Sequence, residues 1–133
     1  MLYKHQYQFS KRMEMIDITN QIKKDLKDAK MKNGIVIVYT PHTTAGITIN
    51  ENADPDVVRD MLNGFECVFP TNHPDYHHFE GNSHAHMKST VFSPSQTLII
   101  DHGQIILGVW QSVYLCEFDG PRNRTYYVKF IAG

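Results

Sequence analysis

Four histidines lie within eleven residues of this sequence, in the stretch YHHFEGNSHAH from Tyr76 to His86, and the whole chain of 133 residues has eight. Imidazole binds transition metals and exchanges protons near neutral pH, so the stretch is a candidate for either chemistry. A solvated loop of titrating histidines is the third interpretation. His84 and His86, two residues apart, would share a face on a strand but not on a helix. The stretch also lacks the His-Glu-x-x-His spacing by which a helix alone brings two ligands together.

A second group of polar residues occupies the stretch PHTTAGITINENADP. His42 follows a predicted buried strand, and the end of a strand is a place where a rigid scaffold can hold a reactive side chain. Thr43 and Thr44 come next and could donate hydrogen bonds to an anion. Three more polar residues, Glu51, Asn52 and Asp54, stand where a predicted helix begins. The free N–H groups of a helix N-terminus favour an anion, although Asp54 is more simply the N-cap.

Polar residues also interrupt the apolar stretch IILGVWQSVYLCEF. Gln111 breaks an alternating apolar row and Glu117 continues it, so each is either a polar tie in the core or part of a pocket wall. Trp110, on the other face, is assigned to the core or to a subunit contact. Arg122 follows in a Gly-Pro turn, where most arginines are solvated. A phosphate-binding role for Arg122 rests on the fork geometry of guanidinium.

These residues need a scaffold, and the apolar pattern predicts about six strands with two or three helices. The predicted helices cover Asp17 to Lys30, Asn52 to Phe69 and about Ser83 to Phe92. The predicted strands are LYKHQYQFS, IVIVYT, AGITINE, TLIID, QIILGVWQSVYLCEF and TYYVKFI. Short turns such as His102-Gly103 join strand pairs and favour an antiparallel or mixed sheet. The predicted class is α+β, in a single compact domain over residues 1–133.

Charge and composition argue against several classes of partner. The chain carries 13 Lys and Arg against 14 Asp and Glu, a balance that speaks against nucleic acid or an anionic membrane as the main partner. No run approaches the roughly 18 to 20 apolar residues of a membrane span, and the first twelve residues lack the apolar stretch of a signal peptide. Cys67 and Cys116 match no metal or redox spacing, so they are expected to be reduced thiols in a cytoplasmic protein.

Three stretches, HTTAGITINENADPDV, YHHFEGNSHAHMKS and GVWQSVYLCEFDGPR, together resemble the YjbQ family, also called secondary thiamine-phosphate synthases. The resemblance extends over nearly the whole chain, with its motifs in the expected order. It implies a compact α+β fold that assembles as a homotrimer. It also implies a thiamine-phosphate synthase activity, which would join a hydroxymethylpyrimidine diphosphate to a thiazole phosphate and release pyrophosphate.

The resemblance assigns roles to particular residues. Its pattern matches this chain at His42, Asn50, Glu51, Asn52, Asp54, Tyr76, His78, His86, Lys88, Gln111 and Glu117. The predicted catalytic residues are His42, His78, His86 and Glu51, and the predicted substrate-binding residues are Thr43, Thr44, Asn52, Gln111 and Arg122. The pattern leaves His77 and His84 open, so both are expected on the solvent side of the loop.

His42, His78 and His86 come from separate segments, and neutral imidazoles of this kind suit a divalent metal ion such as Zn²⁺. The same three would also suit a metal-free site that binds phosphate and moves protons. Two further functions stay open beside the synthase. One is a metal-assisted hydrolase of a small phosphorylated metabolite, and the other is a non-catalytic metabolite-binding module. A small phosphorylated metabolite is the expected ligand.

Overall fold

The chain forms eight strands and three helices, and the computed structural model describes all residues, 1–133. The strands are β1 (Leu2–Gln8), β2 (Glu14–Asp17), β3 (Gly34–Tyr39), β4 (Ala45–Glu51), β5 (Ser95–Asp101), β6 (Gln104–Ile105), β7 (Gln111–Glu117) and β8 (Asn123–Ala132). The helices are α1 (Thr19–Ala29), α2 (Pro55–Val68) and α3 (Ser83–Phe92). The predicted α+β class is confirmed. None of the three helices has the length and hydropathy of a membrane-spanning segment.

All strand pairs are antiparallel and fall into two sheets. The large sheet has the order β1-β8-β3-β5-β6, and the small sheet has the order β2-β7-β4. Alternating side chains of the large sheet, such as Val36, Val38 and Val128, are fully buried. They pack against Ile47 on β4 and Ile22 on α1, so the main core lies between the two sheets and α1. Burying each branched side chain contributes about 1.5–3 kcal/mol, which makes this layer the main source of stability.

The opposite face of the small sheet carries a second, smaller core under α2 and α3. Ala85 and Phe92 of α3 are buried there against Cys116 and Phe118. The first helix residue Pro55 follows Asp54, whose side chain accepts the N–H of Asp56 at 2.9 Å, so the predicted N-cap is confirmed. The apolar face of α2 is only half-buried against this core. The small sheet is therefore covered on both sides, by the large sheet and by two helices.

The predicted strand QIILGVWQSVYLCEF is two strands separated by a loop. β6 ends at Ile105 and β7 begins at Gln111. Between them Val109 is 91% exposed and Trp110 is 61% exposed, so the apolar row that Gln111 was expected to interrupt does not exist. Gln111 is itself exposed, and its side-chain oxygen accepts the N–H of Gly108 at 2.8 Å to close the loop. Strand β2 was not predicted, because four residues are too few for a pattern.

Candidate functional site

Four separate segments meet at one cleft of about 420 Å³. They are the loop after β3, the loop before α3, α3 itself, and the turn before β8 with the first residues of that strand. We call this space the histidine cleft; it is lined by Pro41, His42, Thr43, Thr44, His78, Glu80, Asn82, His86, Arg122 and Arg124. Its volume falls in the range of natural small-molecule sites. The fold thus brings together six of the predicted site residues: His42, Thr43, Thr44, His78, His86 and Arg122.

The ring of His42 is held by the backbone of β8. The N–H of Thr125 donates to His42 Nε2 at 2.9 Å. Because Nε2 accepts this hydrogen bond, the proton of the neutral ring must sit on Nδ1. Partial burial lowers the pKa of His42, and the positive charge of Arg124 lowers it further. At neutral pH His42 is therefore an uncharged donor with a fixed tautomer.

Arg124 is one of two residues with polar contacts in the cleft, with Asn82, that the sequence pattern missed. Its side chain is 4% exposed, and its Nε donates to both oxygens of Glu117 at 2.9 and 3.1 Å. Its Nη2 donates to the hydroxyl of Thr44 at 2.7 Å. Nη1 makes no hydrogen bond within the chain, and Arg124 is among the residues that line the cleft. Glu117 is fully buried and does not line the cleft, so of the two alternatives left open for it the structure shows a polar tie in the core, with Arg124 as its partner.

The signal for Arg124 was present in the sequence. It alternates with Tyr126 and Val128 along a strand whose apolar side chains point inward. A charged residue in such a row must be paired, because burying an unpaired charge is prohibitively costly. Glu117, the acidic residue of the preceding strand, is the natural partner.

Arg122 and Asn82 are connected through one carboxylate. Arg122 donates to the Asp119 side chain at 3.1 Å from Nη2 and to its backbone oxygen at 2.8 Å from Nε. Asn82 Nδ2 donates to the same carboxylate oxygen as Arg122, Asp119 Oδ2, at 2.7 Å. Burial alone would raise the pKa of Asp119, but the hydrogen bond from Asn82 and the charge of Arg122 outweigh it and lower the pKa. Asp119 is thus ionised at neutral pH and fixes both neighbours.

His78 and His86 form a pair at the junction of two cavities. Their ring centroids are 5.4 Å apart with the rings almost perpendicular. His86 is held by α3, whereas His78 belongs to the exposed loop before it. Beyond the pair is a second cavity of about 490 Å³, which we call the adjoining cavity; it is lined by Asp75, Tyr76, His77, His78, Ser83, His86 and Met87. The two histidines therefore contact both spaces.

The remaining predicted site residues lie elsewhere. Ala45 begins β4 beside the histidine cleft, and Glu51 ends the same strand six residues later, which is roughly 20 Å away at the rise of an extended chain. Asn52 follows there and donates to Asp17 at 2.6 Å. Gln111 pairs with Glu51 in the sheet register. Glu51, Asn52 and Gln111 therefore lie outside the cleft, and the single site predicted from the sequence is divided between the two ends of the small sheet.

The three predicted metal ligands are not gathered around one point. No three side chains of His, Cys, Asp or Glu lie close enough to share an ion. His42 uses Nε2 to accept a backbone N–H, so only Nδ1 could reach a metal. Arg122 and Arg124 also line the cleft, and their positive charges oppose a cation. A three-histidine metal centre therefore does not fit the arrangement of these side chains.

His84 is not on the solvent side of the loop, so that prediction is wrong. It is fully buried on α3, and its Nδ1 lies 2.8 Å from the ammonium group of Lys88. Lys88 is also buried and donates to Glu66 of α2 at 2.7 Å. Burial, together with the nearby charges of Lys88 and then Arg12, lowers the pKa of His84 and keeps it neutral. This cluster ties α3 to α2 and contributes no side chain to the cleft; His77 is exposed as predicted.

Comparison with known proteins places these features in a family. Residues 4–133 match the model of the UPF0047, YjbQ-like proteins. UPF0047 protein YugU of Bacillus subtilis is 52% identical over 131 residues, 98% of this chain and 99% of that protein. A UPF0047 protein of Methanocaldococcus jannaschii is 50% identical over 98% of this chain and 94% of its own.

Solved structures agree with the fold. A YjbQ/UPF0047 protein from Clostridium acetobutylicum, 50% identical, superposes with a TM-score of 0.95 over 97% of this chain and 99% of that chain. A YjbQ-like protein from Sulfolobus solfataricus, 26% identical, gives 0.96 over 100% and 97% and is described as of unknown function. The relatives are named only as UPF0047 proteins. The predicted thiamine-phosphate synthase function is therefore corrected: nothing among these relatives supports it.

Proposed function

This chain belongs to the YjbQ-like UPF0047 family, and on that premise we propose that its histidine cleft binds the phosphate group of a small metabolite and exchanges protons with it. The observation that carries the proposal is the convergence of hydrogen-bond donors. His42, Arg122 and Arg124 all line the same 420 Å³ space with the hydroxyl of Thr43. Guanidinium, imidazole and hydroxyl donors are the groups that hold phosphate in proteins.

The arrangement of the acidic residues supports an anion rather than a cation. Glu117 and Asp119 accept hydrogen bonds from Arg124 and Arg122 through Nε and Nη2. The Nη1 groups of both arginines have no partner within the chain. The carboxylates thus fix the guanidinium groups in place and leave donors for a ligand. Pre-positioned donors bind an anion without the entropy cost of ordering them first.

The proton-exchanging role belongs to His78 and His86. His86 sits on a helix and lines both cavities with His78, so a phosphate in the cleft would lie beside two imidazoles. Imidazole is the side chain that most often gives or takes a proton in general acid–base catalysis, so both rings are suited to exchange protons with a phosphate oxygen. The adjoining cavity, with Tyr76 and Met87 in its wall, offers space for the organic part of the ligand.

The proposal is tested by calorimetric titration with inorganic phosphate. Arg122→Ala should weaken binding roughly tenfold to a hundredfold, since a hydrogen bond to a charged group is worth about 1.5–3 kcal/mol. Arg59→Ala, which removes an exposed arginine from α2, is the matched control and should leave binding unchanged. Equal affinity in all three proteins would contradict the proposal.

Phosphate titration after treatment with a metal chelator distinguishes this proposal from the hypothesis of a three-histidine metal site. Phosphate binding should survive dialysis against EDTA, because arginine and histidine donors suffice to hold the anion. If chelation abolishes binding and added Zn²⁺ restores it, a metal holds the phosphate and the donor-only account is wrong.

We also propose that the protein is a homotrimer that packs through the outer face of the large sheet. Ile35 pairs with Ile99 on one side and with Ile131 on the other, which forms an apolar row across three strands. Ile99 is 59% exposed and Ile131 is 44% exposed. Nothing in the chain covers this row, and apolar patches of this kind usually mark an interaction surface.

The two thiols support a cytoplasmic location. Cys67 is exposed, Cys116 is buried, and both are unpaired. A reducing compartment keeps such thiols free, whereas an oxidising one puts an exposed cysteine at risk.

A further inference from the structure

Asn82 holds a polar atom that the chain itself does not satisfy. The residue is 6% exposed and lines the histidine cleft just before α3. Its Oδ1 is the one buried side-chain polar atom with no hydrogen-bond partner in the protein. Leaving a buried acceptor unmet costs about 1–3 kcal/mol, and folded proteins rarely tolerate it without a reason.

The orientation of the Asn82 amide is fixed by its neighbour. Nδ2 donates to Asp119 Oδ2 at 2.7 Å, and the same oxygen accepts a hydrogen bond from Arg122 Nη2 at 3.1 Å. An ionised carboxylate can only accept hydrogen bonds, so the amide cannot be turned round without placing oxygen against oxygen. Oδ1 is therefore fixed as the acceptor of an amide group that lines the cleft.

The rest of the cleft wall offers mainly donors. His42 presents Nδ1–H, and Arg122 and Arg124 present guanidinium nitrogens. Glu80 also lines the cleft, but its carboxylate is exposed and needs no partner from a ligand. A fully ionised phosphate group has acceptors alone, so it would satisfy the donors and leave Asn82 Oδ1 unmet.

We propose that the ligand carries a hydroxyl group close to its phosphate and that this hydroxyl donates to Asn82 Oδ1. The inference rests on the proposed phosphate-binding function and names the ligand class: hydroxylated phosphate esters, as found among polyol and sugar phosphates. Asn82 then determines specificity. It discriminates against esters that have the same charge but lack the donor.

The test uses two phosphate esters that differ in their hydroxyl groups, glycerol 3-phosphate and n-propyl phosphate. Calorimetry on the wild-type protein should show a preference on the order of tenfold for the hydroxylated ester, the value of one hydrogen bond to a buried acceptor. In Asn82→Ala that ratio should fall close to one. A purely structural effect of the substitution would weaken both esters equally and leave the ratio intact.

Each outcome separates the two proposals. If inorganic phosphate does not bind the wild-type protein, the phosphate-binding function is wrong and this inference falls with it. If phosphate binds but the two esters bind equally well, the function stands and the role of Asn82 is overturned. A preference that persists in Asn82→Ala overturns it too. Should the alanine variant fail to fold, Asn82→Ser carries the same test, because serine is a favoured N-cap with a shorter reach.

Discussion

At the scale of single residues, the buried His84 gives the sharpest contrast with its exposed neighbour His77. His84→Ala should lower the free energy of unfolding by about 2–4 kcal/mol, because it opens a cavity and deprives the buried ammonium of Lys88 of a hydrogen-bond partner. His77→Ala should change it by less than about 0.5 kcal/mol, as exposed substitutions do. Urea denaturation of both variants measures the difference. Equal effects would mean that the cluster around Lys88 does not stabilise the fold.

His84 and the partly buried His42 predict how the free energy of unfolding depends on pH. Burial, helped by Arg124 in one case and Lys88 in the other, lowers the pKa of His42 and of His84 in the folded protein. The unfolded chain binds protons at the ordinary histidine pKa of about 6.5, so it gains protons first as the pH falls. Stability is therefore full above that pH and decreases below it, toward the folded pKa values.

Urea midpoints at pH 7.5 and pH 5.5 measure this effect. The midpoint should be lower at pH 5.5, and His84→Gln should show a smaller difference because one of the two groups no longer titrates. A midpoint that rises as the pH is lowered through this window would contradict the assignment of neutral, buried rings.

The sequence predicted the chemistry of several residues but not their surroundings. Residue type and the family resemblance predict roles for His42, His78 and His86, and the fold brings all three to one cleft. Asn82 was not predictable because its partner, Asp119, lies 37 positions away and the two meet only through the fold. Arg124 pairs with Glu117, seven positions away, and its place among the inward-facing residues of β8 is the signal that could have identified it.

At the scale of elements, the packing of α3 against β4 depends on one glycine. A Cβ at Gly46 would lie 3.0 Å from the Cβ of Phe92 and 3.2 Å from the backbone oxygen of Ser93. Gly46→Ala should therefore push the end of α3 away and cost about 1–3 kcal/mol, as overpacking does.

Gly64 in α2 provides the matched control for that substitution. A Cβ there meets nothing within 4 Å, so Gly64→Ala should instead stabilise the helix by about 0.5–1 kcal/mol. Denaturation midpoints of the two variants should move in opposite directions. A neutral or stabilising Gly46→Ala would show that α3 is not packed as described.

Element boundaries were predictable where local signals were strong. The third helix was expected from about Ser83 to Phe92 and occupies those residues. The break between β6 and β7 was missed because Ile106, Val109 and Trp110 continue the apolar composition of the strands on either side while remaining exposed. Composition favours a strand there; the turn at Gly108 interrupts it.

At the scale of the whole molecule, the apolar row on the large sheet predicts the assembly. Sedimentation should give a mass near three chains of 15.4 kDa at micromolar concentration. Ile99→Lys places a charge in the row and should shift the population to single chains, because burying an unpaired lysine is costly. Val91→Lys, at an exposed position on α3, is the control and should leave the mass unchanged. A wild-type mass near that of one chain would rule out the trimer.

The division of the predicted site is also a property of the whole fold. The family resemblance assigns Glu51 to the same site as His42, nine positions away in sequence, but β4 runs between them as an extended strand. The large distance follows from the rise of an extended strand, so the length of the predicted strand AGITINE was enough to predict it. The sequence could not predict that His42 meets His86 and Arg124, because that meeting depends on how α3 and β8 are placed against the two sheets.

The most direct test of the phosphate-binding account is a nuclear magnetic resonance titration of the histidine side chains with inorganic phosphate. One ¹H–¹⁵N spectrum covers all eight rings and reports the tautomer of each neutral ring. We predict that His42 appears as the Nδ1–H tautomer and that the signals of His42, His78 and His86 shift as phosphate is added. The signals of His5, His84 and His102, which lie outside the cleft, should stay in place. A spectrum in which the three cleft histidines do not respond, or respond no more than the other three, would contradict the account.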